Sequence, residues 1–126
     1  MSDKQKIDLE KCRKYIASLY TAVLTEKITV REALANFPKD TEDETAYAAW
    51  HALCHLEADE DLRKKDKMYA QEQDEYIEYI AFTLSKGGAL PENIINSYKP
   101  YHEDVLTAHS HTFKGIVHLL KKFLCC

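Results

Sequence analysis

Nonpolar side chains return every third or fourth residue along most of this chain, the rhythm of helices that each bury one face. Leu9, Cys12, Ile16, Leu19 and Val23 alternate by three and four and draw a single seam, which Tyr20 and Leu24 widen. This predicts a first helix over Asp3–Glu26. Thr29 with Glu32 has capping-box spacing and opens a short second helix, with Val30, Ala33, Leu34 and Phe37 as its apolar face before Pro38. Thr41 with Glu44 repeats that spacing. It predicts a third helix over Glu42–Lys65, whose acidic first turn suits the positive end of a helix dipole.

The third helix is the unusual one. From Ala46 to Leu56 it carries no charged residue apart from its two histidines. Ala46, Ala49, Trp50, Leu53, Cys54 and Leu56 form one broad arc, with His51 and His55 on the opposite side beside Ala48 and Ala52. A helix that is apolar most of the way round is expected to sit innermost.

A fourth helix is predicted over Asp66–Ser85, with Tyr69, Gln73, Tyr76, Ile77, Ile80 and Leu84 on one face and Met68 and Tyr79 at its edge. Gly87–Gly88 ends it. Phe82 falls opposite the main face, so it either packs under a neighbouring short helix or marks a contact between chains. Pro91 opens a short helix through Tyr98, and Pro100 is expected to break the chain there. A last helix is predicted over Tyr101–Leu124, its seam formed by His102, Leu106, His109, Phe113, Ile116, Leu120 and Phe123. The expected fold is therefore all-α: an antiparallel helical bundle of four long helices plus two short helices, forming one domain over residues 1–126.

Composition narrows the function classes. Three glycines and three prolines in 126 residues are too few for a turn-rich β architecture. The net charge of −4 and pI near 5.8 give no basic surface for phosphates, so no nucleic-acid partner is expected. Met1–Lys11 is polar and lacks the apolar core of a secretory signal, and neither Tyr15–Leu24 nor Gly115–Leu124 is long enough to span a bilayer. The four cysteines lack paired metal spacing, and Cys12 and Cys54 read as buried thiols. A cytoplasmic location with no membrane partner follows as the expectation. The terminal Cys125–Cys126 beside lysines superficially resembles the end of prenylated small GTPases, but nothing else in the chain does.

The sharpest candidate chemistry is His51, His55 and Asp59 at i, i+4 and i+8, one strip of the third helix that could offer three ligands to a divalent metal such as zinc or iron. The spacing is weakly specific, and it lacks both the HExxH pattern and the paired Glu-x-x-His motifs of di-iron bundles. The plainer reading is two half-buried histidines bonding to neighbours. A second candidate set is Glu57, near the middle of the apolar arc, with His109, joined by His102 or Cys12, as a metal site or proton-transfer pair. Its plainer counterpart is a structural ion pair. His109-Ser110-His111 is no catalytic triad, because adjacent helical residues point about 100° apart.

No catalytic motif stands out, so the chain reads as a non-enzymatic protein–protein interaction or regulatory module, acting on a protein partner or by self-association. The alternative is a metal-binding helical bundle, a sensor or hydrolase-like protein, using His51, His55 and Asp59. A third possibility is a ligand pocket lined by Trp50, His55 and tyrosines. Of eight tyrosines, five gather on the fourth helix (Tyr69, Tyr76, Tyr79) and around the short one (Tyr98, Tyr101), and such residues suit surfaces half apolar and half wet.

Overall fold

A computed structural model of the chain describes residues 3–38 and 41–100. Among these the fold is all-helical, with no strand. The helices are α1 (Asp3–Leu24), α2 (Val30–Ala35), α3 (Glu44–Ala58), α4 (Glu60–Lys65), α5 (Lys67–Ser85) and α6 (residues 92–100). The predicted helix over Tyr101–Leu124, with His102, His109 and Phe113, lies outside the described residues.

The predicted third helix is two helices, so the expected bundle of four long helices is not confirmed among the described residues. α3 ends at Ala58, Asp59 adopts φ −91° and ψ 10°, and α4 resumes at Glu60. Backbone bonds bridge the break, from the Asp59 amide to the His55 carbonyl and from the Arg63 amide to the Asp59 carbonyl. The Asp59 side chain is drawn sideways to Tyr69 and Gln73, a tertiary pull that periodicity cannot register.

Helix ends follow local chemistry with two amendments. The Thr29–Glu32 capping box forms with both reciprocal bonds. At the third helix the expected Thr41–Glu44 box is replaced by Asp43 as cap, its carboxylate accepting from the Thr45 amide at 3.2 Å while Thr41 Oγ1 accepts from the Asp43 amide. α1 stops two residues short of expectation. The Lys27 amide bonds the Ala22 carbonyl and Glu26 stands at φ 59°, a left-handed ending made without the usual glycine. α5 ends the same way with the expected residue, Gly87 at φ 75°. A Cβ there would come within 3.1 Å of Glu10.

α6 also departs from expectation, because it runs through Pro100 rather than ending at Tyr98. Pro100 is the last described residue of α6 and cannot donate to the carbonyl four residues back, that of Asn96, a residue exposed to water.

α1 and α5 pack antiparallel: Arg13 reaches the Gly87 carbonyl at one end, and Val23 and Leu24 share a cleft with Asp74 and Glu78 at the other. α3 runs parallel to α1, tied by Arg13–Asp43 near its start and by the buried Tyr20 hydroxyl, which donates to the Ala49 carbonyl. α2 returns between them. The expectation that the third helix lies innermost holds for α3. Nine of its fifteen residues are buried, against four of twenty-two in α1, and it touches α1, α2, α4 and α5.

The core joins Ile16, Tyr20, Leu53, Cys54, Ile77, Ile80 and Leu84, all essentially inaccessible. Burying one such side chain contributes roughly 1.5–3 kcal/mol. One buried polar contact fastens the α5–α6 loop to this core, where the Leu90 amide donates to Thr45 Oγ1 at 3.1 Å. Thr45→Val should therefore lower stability by about 1–2 kcal/mol despite its nearly equal volume, because it strands that amide. An unchanged urea midpoint would show the bond to be dispensable.

No described helix is long and apolar enough to cross a membrane.

Candidate functional site

The histidine side of α3 is not a solvent face. Ala48, His51 and Ala52 are each 2% exposed, because α6 lies across them with Ile94 and Ile95 buried beneath it. Tyr98 of α6 stands against both histidines. Its ring is nearly parallel to that of His51 at 6.1 Å and tilted 42° to that of His55 at 5.7 Å. Trp50 meets the His51 ring edge-on at 5.1 Å.

Tyr98 separates two clefts. One, of about 420 Å³, is lined by His55, Asp59, Tyr69, Glu72, Gln73, Tyr76, Ser97 and Tyr98. The other, of about 330 Å³, has His51 on its wall with Tyr47, Ile95 and Lys99. The structure thus brings His55 and Asp59 to one cavity and sends His51 to the next. Among the described residues no group of three or more histidine, cysteine or acidic side chains is arranged to hold a metal ion. Of the second candidate set, Glu57 pairs with Arg31 of α2 at 2.8 Å, a partner the sequence reading did not name, and His109 lies outside the described residues.

The larger cleft is built by a hydrogen-bond relay from α4 to α5. Arg63 donates to the Ala70 carbonyl, to Gln73 Oε1 at 2.9 Å and to Asp74 at 2.6 Å. Holding the Gln73 oxygen turns its NH₂ group toward Asp59, where it donates to Oδ2 at 3.1 Å. The Tyr69 hydroxyl donates to the same oxygen at 2.6 Å. Across the cleft the Tyr76 and Tyr98 hydroxyls bond each other at 2.9 Å and join α5 to α6.

The protonation equilibria follow from these contacts. The bond to Asp59 pushes the Tyr69 phenol up from its ordinary value. Burial raises Tyr76, with the Tyr98 bond opposing. His55 is lowered by burial, with the nearby Asp59 charge opposing, so the imidazole is neutral at pH 7.

Cysteine chemistry is not favoured. Burial and then the Asp43 charge raise the Cys12 thiol, the opposite of what activates a nucleophile, and Cys54 is buried in the core.

Sequence reasoning placed Tyr69, Gln73 and Tyr76 on one face of α5 but missed that they face Asp59 and Tyr98. Tyr69 and Tyr76 seven apart with Gln73 between them were the available signal. Of the residues expected in a ligand pocket, His55 and three tyrosines line this cleft and Trp50 is not among its described lining residues.

A second feature lies on the far side of α5. Met68, Glu72, Glu75, Tyr79, Phe82 and Lys86 alternate by four and three along its outer face. Met68 is 72% exposed, Tyr79 47% and Phe82 59%. Phe82 is thus largely exposed, and the Lys86 ammonium stands over its ring, 4.2 Å from the centroid. No family model matches this chain, and neither a curated protein nor a solved structure was found to be similar to it.

Proposed function

We propose that this chain is a non-enzymatic protein–protein interaction or regulatory module that engages its partner, another protein or a second copy of itself, through the outer face of α5. The observation that carries this reading is the row Met68, Tyr79 and Phe82. Among the described residues, the side of α5 opposite the buried Ile77, Ile80, Ala81 and Leu84 leaves these large apolar groups exposed. Single exposed apolar residues are ordinary, but a helical row of them is the form a docking face takes. Glu72, Glu75 and Glu78 alongside favour a partner surface that is apolar with a basic fringe. The same reading carries a cytoplasmic location, where cysteine thiols stay reduced.

Photo-cross-linking with benzoylphenylalanine at position 82 tests the reading, with exposed position 14 of α1 as control. A covalent adduct, either a dimer of this chain or a mixed product, is expected from position 82 and not from position 14. Phe82→Glu should weaken the association at least about tenfold while changing folding stability by no more than about 0.5 kcal/mol. Equal labelling from both positions, or a strict monomer with no adduct in its native host, would remove the proposal.

The alternative, a metal-binding bundle using His51, His55 and Asp59, draws support from His55 and Asp59 sharing one cleft. It is weakened by His51 lining the other. Elemental analysis of untagged protein separates the two readings. Stoichiometric zinc, iron or manganese, with melting raised by added metal, belongs only to the alternative.

A further inference from the structure

The cleft between α4, α5 and α6 has a chemical character that the protein-docking reading does not use. Among the described residues it is lined by Tyr69, Tyr76, Tyr98 and His55, its charged groups are the carboxylates of Asp59 and Glu72, and no lysine or arginine lines it. The nearest guanidinium, Arg63, is already engaged by the Ala70 carbonyl, Gln73 and Asp74. Asp59 receives hydrogen bonds only from neutral donors, Tyr69 and Gln73, both on Oδ2. No ion pair to Asp59 or Glu72 forms among the described residues, and Oδ1 of Asp59 is left for another donor or a cation. The relay from Arg63 through Gln73, and the Tyr76–Tyr98 bond, hold these walls in place before anything binds.

Aromatic rings attract cations through the negative charge of their faces, and a fixed carboxylate beside them supplies the countercharge. A metal ion would need more ligands than this cleft gathers, and an anion would meet only like charge. An organic cation, which prefers weakly polar walls to a full shell of hard oxygen ligands, matches the lining. At about 420 Å³ the cleft falls within the range of small-molecule sites. We infer that this cleft binds an organic monocation, a methylated ammonium or a guanidinium group, between Tyr69, Tyr76 and Tyr98 and against the Asp59 carboxylate. The site shares only Glu72 with the outer face of α5, and neither proposal rests on that residue.

The test is an NMR titration of protein carrying ring-labelled tyrosine, with three probes. Choline represents a free cation, a short peptide bearing trimethyllysine represents a cation carried on a chain, and 3,3-dimethylbutan-1-ol is the uncharged carbon isostere of choline. Choline or the peptide should shift the Tyr69, Tyr76 and Tyr98 ring resonances together, at least about tenfold more tightly than the neutral isostere. If choline and the peptide both bind, the site reads the cationic group alone. If only the peptide binds, the source is a basic side chain of another protein.

Asp59→Asn keeps an acceptor for Tyr69 and Gln73 but removes the charge, and it should weaken cation binding about tenfold with the tyrosine resonances otherwise in place. Equal binding of the neutral isostere overturns the inference on the wild-type protein alone, whatever the variant does. So does the absence of any shift at those three tyrosines at about 50 mM of both cationic probes, well above the millimolar affinity expected of a small cation.

Discussion

Arg13→Met should cost about 3 kcal/mol of folding stability, more than any other single charge removed from the described surface. Arg13 binds the Asp43 carboxylate through two nitrogens, Nε at 2.9 Å and Nη2 at 3.1 Å, and its Nη1 donates to the Gly87 carbonyl at 3.2 Å. One side chain of α1 thereby holds the cap of α3 and the end of α5. The two side chains are only 13% and 6% exposed. Removing the cation leaves the Asp43 carboxylate nearly buried with the Thr45 amide as its remaining donor, and an uncompensated buried charge is expensive.

A control separates the charge from the packing. Combining Arg13→Met with Asp43→Ser keeps a capping oxygen but removes the stranded carboxylate, and it should recover more than half of the loss. Arg13→Lys should recover less, because an ammonium cannot make the two-pronged contact. Urea denaturation at constant slope measures all three. A loss below about 1 kcal/mol for Arg13→Met would mean that the pair behaves as a solvated surface bridge.

Leu53→Ala should cost a similar amount, about 3 kcal/mol, for a different reason. Leu53 is fully buried on α3, the helix that contacts α1, α2, α4 and α5, so the space it leaves cannot be closed by the shift of one neighbour. The loss combines the transfer energy of the deleted methyl groups with the cavity they leave. In a domain of this size the melting temperature should fall by about 10 °C. The contrast with Phe82 is the sharper check. Phe82→Ala removes a larger side chain from the outer face of α5 and should change stability by less than about 0.5 kcal/mol. Comparable losses at positions 53 and 82 would contradict the assignment of inner and outer faces.

Those two positions mark how much was legible in the sequence. Leu53 is read inward and Phe82 outward from periodicity alone, since each is decided by the angle between neighbours on one helix. The α2 capping box and the glycine ending of α5 were legible for a related reason: their partners lie within five residues. The α1 ending was missed because Glu26 occupies a left-handed position normally filled by glycine. The cap of α3 was misplaced by two residues because Asp43 is held by Arg13, thirty residues away.

The candidate site was less legible still. His51, His55 and Asp59 share a strip of helix, so spacing brought them together as ligands. Tyr98 stands between the clefts and assigns them to different cavities, and Asp59 turns toward Tyr69 and Gln73. Neither fact follows from distance along the chain, because α6 and α5 reach α3 only through the folded core.

Local rhythm thus settled that the described residues are helical, which faces of α1 and α5 point inward, and that the alanine-rich helix lies innermost, because a helix orients its side chains by rotation per residue. Where that helix breaks, which histidine meets which cavity, and what surrounds Asp59 were decided by tertiary packing, since hydrogen bonds between distant segments exist only after the backbone has brought them together.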